Sequence, residues 1–238
     1  MDTNQLTEKL MAFNLTRQEA TIYLALHEAG AKTGYEIAKQ TGISRSNAYN
    51  ALAGLVDKGA AYTEEGTATR YVAVHVSEFC KNKIRALHET EEYLTKYMPK
   101  EREEVTGYLT ILGDDHIADK IRAMLLHAKQ RVYLEMEESV LQQFLPELEK
   151  ICDDGIKVVI LTDKKEAVSF EATVYENEVK KDGIGVITDS THVLTGEYGK
   201  KEESSCLYTG QKNFVQIFKD SMKNEIKLIE LTKGDKQK

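Results

Sequence analysis

The chain has 238 residues, of which 41% are hydrophobic and 30% are charged, and its formal net charge at pH 7 is -7. The composition is that of a globular protein, no apolar run is long enough for a membrane-spanning helix, and the length allows two domains. The net charge argues against a protein that coats nucleic acid non-specifically, but it allows a local basic surface. Residues 1–75 hold seven Lys and Arg against eight Asp and Glu, so the acidity lies mostly in the remainder.

The N-terminal sequence and the cysteines predict a cytoplasmic protein without a metal site. The segment MDTNQLTEKLMAF carries acids and amides where a secretory signal has a basic start and an apolar middle. Cys80, Cys152 and Cys206 lie far apart, without Cys-x-x-Cys spacing or a neighbouring histidine pattern. We therefore expect buried thiols rather than zinc ligands or disulfides, and no cofactor.

Three helices are predicted before residue 59. The residues that favour their starts and ends are Thr16 with Glu19, Gly30, Gly34, Gly42, Ser44 and Lys58. Strand-like segments follow at residues 60–63 and 70–74, around a turn that contains Gly66. A hairpin directly after a helix-turn-helix makes a winged helix, which we assign to residues 1–75.

Residues 76–98 predict one long amphipathic helix, which Pro99 ends. Its seam positions are spaced alternately four and three residues apart: Cys80, Ile84, Leu87, Glu91, Leu94 and Met98. This spacing predicts that residues 76–100 form a short coiled coil that makes the protein a homodimer. The alternative is a single amphipathic helix that packs on its own domain.

Residues 101–238 alternate between strand and helix patterns. Strands are predicted at residues 105–112, 131–136, 156–162, 183–189, 192–195 and 205–208, and helices at residues 116–128, 139–153 and 211–228. This order predicts an α/β domain whose mainly parallel or mixed sheet is covered by helices. The whole chain thus combines an α+β winged helix with an α/β domain.

The start of the third helix carries polar side chains suited to DNA. A helix-turn-helix places its second helix in the major groove, where Arg suits guanine, Asn suits adenine and Ser suits phosphates or bases. The predicted contacts to double-stranded DNA are Lys32, Lys39, Ser44, Arg45, Ser46, Asn47, Asn50, Thr69 and Arg70, with Lys58 as a further phosphate candidate. The negative charges of Glu64 and Glu65 at the wing tip repel phosphates. One alternative is that these polar residues only form a solvated start of the helix. The other is that the helix-turn-helix binds another protein.

The segments FNLTRQEATIYLAL, GYEIAKQTGISRSNAYNALAGLVDKGAAY and TRYVAV resemble the N-terminal domain of TrmB-type transcriptional regulators. The resemblance covers residues 10–75, and the family typically has a tyrosine where Tyr49 stands. It implies a homodimer with a winged helix, a linking coiled-coil helix and a C-terminal effector domain.

The segments DDHIADKIRAMLLHAKQRVYLEM, DGIKVVILTD and DGIGVITDSTHVLTGEY are similar to the phospholipase D-like domain that this family carries. A phosphodiesterase of that superfamily needs His-x-Lys followed by Asp, for the nucleophile and for the phosphate charge. Here Leu194 stands two residues after His192, and Gly199 stands at the later Asp position. The resemblance therefore implies that this domain keeps the fold without the chemistry, so no enzyme activity is expected.

In open α/β sheets, ligands bind beyond the carboxyl ends of the strands. The polar residues predicted to bind an effector there are Glu135, Thr162, Asp163, Thr188, Asp189 and His192. Because members of the family bind sugars with this domain or just beyond it, the resemblance implies a small-molecule effector such as a sugar. The alternative is that these residues cap helices or begin turns.

These patterns favour a homodimeric transcriptional regulator that binds a pseudo-palindromic operator and responds to an effector. Two alternatives come from other classes of protein. One is a phosphodiesterase or nuclease with an attached DNA-binding domain, which the Leu194 departure disfavours. The other is a winged-helix module that docks on a protein.

Overall fold

The computed structural model describes residues 2–99, 107–177 and 182–235. The chain divides into two compact units, residues 1–100 and 101–238. Each unit has its own buried apolar core.

The first unit is a winged helix followed by a long helix. Its elements are α1 (Thr3–Met11), α2 (Arg17–Ala29), β1 (Lys32–Thr33), α3 (Gly34–Thr41), α4 (Arg45–Asp57), β2 (Ala61–Glu64), β3 (Arg70–Ala73) and α5 (Val76–Tyr97). The three strands form an antiparallel sheet in the order β1-β3-β2. The three predicted helices, the hairpin and the long helix are confirmed. The sequence did not predict α1, whose only buried apolar residue is Leu10, or β1, which is two residues long.

Local hydrogen bonds define where the helices of the winged helix begin. Thr16 and Glu19 form the predicted capping box at α2, and Thr33 and Glu36 form a second one at α3. Gly42 follows α3 in the left-handed region, with φ of 72° and ψ of 5°, a conformation that favours glycine. The turn between α3 and α4 is therefore specified by its own sequence.

The core of the first unit joins the helices to the start of α5. Phe79 of α5 is buried, and its ring centroid lies 5.9 Å from that of Tyr23 on α2. The Tyr23 hydroxyl donates a hydrogen bond of 2.7 Å to the carbonyl oxygen of Val74, directly after the hairpin. These contacts fix the hairpin and the first turn of α5 against α2.

The second unit contains a seven-stranded mixed sheet. Its elements are β4 (Tyr108–Leu112), α6 (Asp114–His127), β5 (Arg131–Glu135), α7 (Glu138–Leu141), α8 (Leu145–Asp153), β6 (Lys157–Thr162), β7 (Thr173–Glu176), β8 (Gly183–Thr188), β9 (His192–Glu197), β10 (Ser205–Thr209) and α9 (Lys212–Asp235). The strand order is β4-β10-β9-β8-β5-β6-β7. Strands β5, β6 and β7 are parallel, and the remaining neighbours are antiparallel.

The predicted elements of this unit are found, with two differences. The helix predicted at residues 139–153 is two helices, because the chain turns near Phe144 and Pro146 favours a new helix start in the first turn of α8. Strand β7 was not predicted; it is short and lies at the sheet edge, where none of its residues is fully buried. Residues 105 and 106 of the predicted first strand lie outside the described residues.

Helices cover both faces of the sheet, as the α/β pattern predicts. On one face, α6 and α8 bury residues such as Ile121 and Leu148 against Leu134 of β5. On the other face, α9 buries Val215 and Met222 against the sheet. Within the described residues, no helix combines the length and the apolar character needed to cross a membrane.

Candidate nucleic-acid interface and effector cavity

Helix α4 separates a buried side from a polar side. Ala48, Leu52 and Leu55 are fully buried, whereas Arg45 and the polar residues beside it are exposed. The exposed predicted contacts on this helix are Arg45, Ser46, Asn47 and Asn50, and no described residue hydrogen-bonds their side chains. The structure therefore brings the predicted base-contacting residues together on one surface.

Ser44 has a structural role at the start of that surface. Its Oγ accepts a hydrogen bond of 3.3 Å from the backbone N–H of Asn47 and so caps α4. A serine hydroxyl that accepts one bond still has its own hydrogen to donate. The predicted contact between Ser44 and a phosphate oxygen is therefore compatible with the cap.

Two side chains of α4 contact the first turn of α3. The guanidinium carbon of Arg45 lies 4.5 Å from the ring centroid of Tyr35, within the range of a cation–π interaction. One turn further along α4, the ring of Tyr49 lies over Gly34, and a Cβ at residue 34 would collide with that ring. The conformations of Arg45 and Tyr49 thus depend on α3.

The predicted phosphate contacts outside α4 lie on α3, on the three-stranded sheet and in the turn between β2 and β3. Lys39 is exposed on α3, Thr69 is exposed in the wing, and Lys32 lies on β1. Arg70 on β3 pairs with Thr33 on one side and with Glu64 on the other. Because β1 pairs with β3, Lys32 and Arg70 lie on neighbouring strands.

An acidic residue lies near these two cations. The backbone N–H and then the hydroxyl of Thr33 bond to the Glu36 carboxylate and lower its pKa, and the charges of Lys32 and Arg70 lower it further. Glu64 lies directly opposite Arg70. The negative charges of Glu36 and Glu64 therefore partly cancel the positive potential at the wing. They affect the part of the surface formed by α4 and Lys39 less.

The structure contradicts the assignment of Lys58 to phosphate. Its Nζ lies 2.6 Å from Oε2 of Glu19, and the side chains of Lys58 and Glu19 are only 25% and 7% exposed. An ammonium in a mostly buried ion pair is not free to contact a phosphate. Lys58 instead joins the end of α4 to the start of α2.

In the second unit, the six predicted effector-binding residues do not form one site. Glu135, Thr162 and Asp163 lie at the carboxyl ends of the parallel strands β5 and β6. Thr188 pairs with His192 and lies opposite Val132 at the start of β5, so the group Thr188, Asp189 and His192 lies at the other end of the sheet. The reason is that β8 runs antiparallel to β5, so their carboxyl ends point in opposite directions.

Several of these residues hold the fold together. Oδ1 of Asp163 accepts a 2.6 Å bond from the N–H of Glu138, which lowers the pKa of Asp163 and caps α7. The Asp189 carboxylate accepts bonds from the backbone N–H groups of Lys129, Gln130 and Arg131, at 2.9, 2.8 and 3.0 Å. Burial alone would raise the pKa of Asp189, but these bonds outweigh it and lower the pKa.

Thr162 and His192 are also engaged by the fold. Thr162 is fully buried. The His192 ring stacks on the Tyr208 ring, with 5.6 Å between centroids and 3° between planes. Both residues are thus part of the packed structure.

Glu135 faces a cavity between the sheet and α9. The cavity has a volume of about 320 Å³ and is lined by Glu135, Gly183, Ile184, Thr195, Gly196, Glu197, Phe218, Ser221, Met222 and Glu225. Burial, and then the charge of Glu225, raise the pKa of Glu135. Glu225 in turn accepts a 2.5 Å bond from the side-chain amide of Asn177. This volume lies near the lower end of the range for small-molecule sites, about 300–1,000 Å³.

Sequence reasoning found one residue of this cavity and missed its wall on α9. Phe218, Met222 and Glu225 are spaced four and three residues apart, so the predicted helix at residues 211–228 already placed them on one face. That spacing gave no sign of a cavity, because it is equally typical of a packed helix face. Among the described residues, no group of three or more His, Cys, Asp or Glu side chains is placed to hold a metal ion.

Comparisons with known proteins give matches to both units. Residues 10–77 match the family model of the sugar-specific transcriptional regulator TrmB. Residues 108–223 match the model of the EBD N-terminal subdomain of the transcriptional regulator TrmB. The two models together span most of the chain.

The chain is 27% identical to YrhO, an uncharacterized protein of Bacillus subtilis (strain 168), over 96% of this chain and 86% of that protein. It is 28% identical to the HTH-type sugar sensing transcriptional regulator TrmBL1 of Pyrococcus furiosus, over 65% of this chain and 47% of that protein. It therefore spans about half the length of TrmBL1. A solved structure of TrmBL2, an archaeal chromatin protein, is 20% identical with a TM-score of 0.44, and the match covers 95% of this chain and 99% of that chain.

The resemblance of residues 10–75 to TrmB-type regulators is confirmed by these matches. The helix-turn-helix lies within the first matched segment, and the sheet from β4 to β10 lies within the second. The chain belongs to the TrmB family of transcriptional regulators.

Proposed function

We propose that the protein is a homodimeric transcriptional regulator that binds a double-stranded DNA operator through α4 and changes its affinity when a small-molecule effector binds to the second unit. The observation that carries the proposal is the exposed polar side of α4, opposite three fully buried residues of the same helix. A helix of this kind in a winged helix suits the major groove. The family match supports a DNA-binding regulator.

The proposed contacts divide into base contacts and phosphate contacts. Arg45, Asn47 and Asn50 present side-chain donors and acceptors that suit base edges. The proposed phosphate contacts fix the position of α4, and they are Ser44, Ser46, Lys32, Lys39, Thr69 and Arg70. The chain as a whole has a net charge of -7, so attraction to DNA depends on this local surface. We therefore expect binding to weaken steeply as salt increases.

Dimerisation is proposed through the exposed apolar stripe of α5. Ile84, Leu87, Leu94 and Met98 are 46%, 68%, 49% and 64% exposed in the single chain. Their spacing matches the seam of a two-stranded coiled coil, in which a second copy of the helix buries them. A dimer also presents two copies of α4, one for each half of a pseudo-palindromic operator.

The effector is proposed to be a neutral sugar that binds in the cavity between the sheet and α9. Glu135, Glu197 and Glu225 line the cavity, and their carboxylates repel phosphate groups while they accept hydrogen bonds from hydroxyl groups. The ring of Phe218 offers an apolar surface beside them. The matched family model is that of a sugar-specific regulator and TrmBL1 is a sugar sensing regulator, which also supports a sugar. The proposed site does not include the other residues predicted to bind an effector, which are Thr162, Asp163, Thr188, Asp189 and His192.

We also propose that the protein regulates without catalysis and works in the cytoplasm, where an operator is accessible. Leu194 occupies the position at which a phosphodiesterase of the phospholipase D superfamily needs a lysine, and Leu194 is fully buried. The cavity contains no described lysine or arginine to stabilise a phosphate. This favours the regulator over the phosphodiesterase alternative.

Electrophoretic mobility shifts test the proposal. A random-sequence duplex pool is selected with the wild-type protein, and binding to the selected duplex is measured at two salt concentrations. We expect sequence-selective binding that weakens at the higher salt. Failure to select any sequence, or retardation that does not depend on salt, would contradict the DNA-binding function and favour a protein partner for the winged helix.

A further inference from the structure

Tyr35 lies at the first turn of α3, next to the proposed DNA surface but outside the contacts predicted from the sequence. Its side chain is 50% exposed, and the guanidinium of Arg45 lies over its ring at 4.5 Å. An exposed tyrosine on a helix start has no packing requirement of its own. The contact with Arg45 is therefore the feature of this residue that needs an explanation.

The surroundings leave the Tyr35 ring as the partner of Arg45. Among the described residues, no carboxylate lies within ion-pair distance of Arg45, and no group hydrogen-bonds the hydroxyl of Tyr35. The contact uses the face of the ring, so the N–H groups of Arg45 have no partner within the described chain. An arginine side chain otherwise samples many rotamers, and ordering it costs free energy when it binds.

A second contact between α4 and α3 lies on the next turn of α4. Tyr49 follows Arg45 by four residues and thus lies on the same side of α4. Its ring packs over Gly34, the residue before Tyr35. The first turn of α3 therefore contacts two side chains, one helical turn apart, on the exposed edge of α4.

From this geometry we infer that Tyr35 is a positioning residue that holds Arg45 in the conformation in which it contacts a base. The inference rests on the proposed DNA-binding function and adds a residue that touches no base itself. The aromatic ring, rather than the hydroxyl, does the positioning. An arginine held in this way binds guanine with its N–H groups and loses less conformational freedom on binding.

The expected effect is modest and specific. An exposed cation–π contact corresponds to about two- to fivefold in a binding constant. Tyr35→Ala should weaken binding to the selected duplex by about that factor and relax the preference at the base pair that Arg45→Ala also relaxes. Tyr35→Phe keeps the ring, so it should retain wild-type affinity and preference.

A double-mutant cycle on the full-length protein tests the inference. Selections from the random duplex pool and dissociation constants for the wild-type duplex are compared for Tyr35→Ala, Tyr35→Phe, Arg45→Ala and the double variant Tyr35→Ala with Arg45→Ala. Tyr62→Ala is the control, because Tyr62 is an exposed tyrosine of the same unit whose hydroxyl bonds to Glu78, away from Arg45. Circular dichroism of each variant establishes that the helices remain folded.

Three results would support the inference together: an effect of Tyr35→Ala that disappears in the Arg45→Ala background, rescue by Tyr35→Phe, and no effect of Tyr62→Ala. Equal losses from Tyr35→Phe and Tyr35→Ala would overturn it, because the hydroxyl would then bind DNA directly. An additive double variant would also overturn it, since Tyr35 would then act independently of Arg45. If the wild-type protein selects no duplex, the proposed function itself fails, and that outcome is separate from a failure of Tyr35 alone.

Discussion

The ammonium of Lys58 lies 2.6 Å from the carboxylate of Glu19, where the end of α4 meets the start of α2. The same carboxylate accepts a 2.6 Å bond from the backbone N–H of Thr16. A Cβ at Gly54 would collide with Glu19, so α4 approaches this carboxylate closely. One acidic side chain thus caps α2 and fixes the end of the helix proposed to bind DNA.

Removing the cation should destabilise the winged helix. Lys58→Met leaves the Glu19 carboxylate mostly buried without its ion-pair partner, and we expect the free energy of unfolding to fall by about 1–3 kcal/mol. Urea unfolding of residues 1–99, at a fixed protein concentration, measures the change. Lys39→Met is the matched control, since Lys39 is exposed on the same unit and has no ion pair among the described residues. Equal stability of the two variants would show that the pair contributes nothing.

The stabilisation by Glu19 should be lost in acid. Burial by itself raises the pKa of Glu19, but the bonds from Lys58 and Thr16 outweigh it, so the pKa lies below its ordinary value of 4.5. A carboxylate whose pKa is depressed in the folded state stabilises the fold above its unfolded pKa, and this contribution disappears as pH falls through the folded pKa. The difference in unfolding free energy between wild type and Glu19→Gln should be constant near neutral pH and shrink below about pH 4.5. A difference that does not shrink at all as pH falls below about 4.5 would mean that the carboxylate charge is not its source.

Base and phosphate contacts should respond differently to substitution. Arg45→Ala should cost about 1–3 kcal/mol of binding free energy on the selected duplex and relax the sequence preference at one position. Lys39→Ala should weaken binding to all duplexes similarly and make the dependence on salt less steep. Titrations of both variants on selected and scrambled duplexes check these outcomes. An Arg45→Ala protein with unchanged selectivity would contradict the base contact.

The oligomeric state should depend on Leu87. A lysine at this seam position places two charges against each other in the proposed coiled coil, so Leu87→Lys should give monomers that bind the operator weakly. Ala86→Lys adds the same charge to α5 one residue away, off the seam, and should leave the dimer intact. Sedimentation equilibrium of both variants measures whether each is a monomer or a dimer. Dimeric Leu87→Lys protein would place the dimer contact elsewhere.

The cavity should discriminate between neutral and anionic ligands. In thermal-shift measurements, we expect neutral sugars to stabilise the protein and the corresponding sugar phosphates to have no effect, because Glu135 and Glu225 repel phosphate. Glu225→Ala should abolish the shift, and Asp220→Asn should retain it, since Asp220 lies on the same helix but does not line the cavity. Stabilisation by sugar phosphates that is unaffected by Glu225→Ala would contradict the proposed site.

A shortened chain that ends at Pro99 tests how an effector acts on DNA binding. It should bind the operator but lose any response to a sugar that shifts the affinity of the full chain, because a ligand changes DNA affinity only if it prefers one of two arrangements of the protein. Mobility shifts with and without the sugar measure the response. A shortened chain that still responds would place the effector site in the winged helix.

The sequence by itself determined the elements and the surface that carries the proposed function. The capping box of Thr16 and Glu19, the cap at Ser44 and the turn at Gly42 all depend on residues within four positions of each other, so they are visible in the sequence. The apolar residues of α4 recur at helical spacing, which also fixes that Arg45 and Asn47 lie away from the core. The same short segments carry the resemblance to the TrmB family.

Only the tertiary structure decided which distant residues meet. The sequence pattern marks a strand but not its direction, and the antiparallel course of β8 is what separates Thr188, Asp189 and His192 from Glu135. The contacts between Lys58 and Glu19, and between Tyr35 and Arg45, join residues on different helices, and local spacing does not reveal how those helices pack. The same holds for the cavity between the sheet and α9, because an unfilled space depends on how side chains from separate elements pack around it.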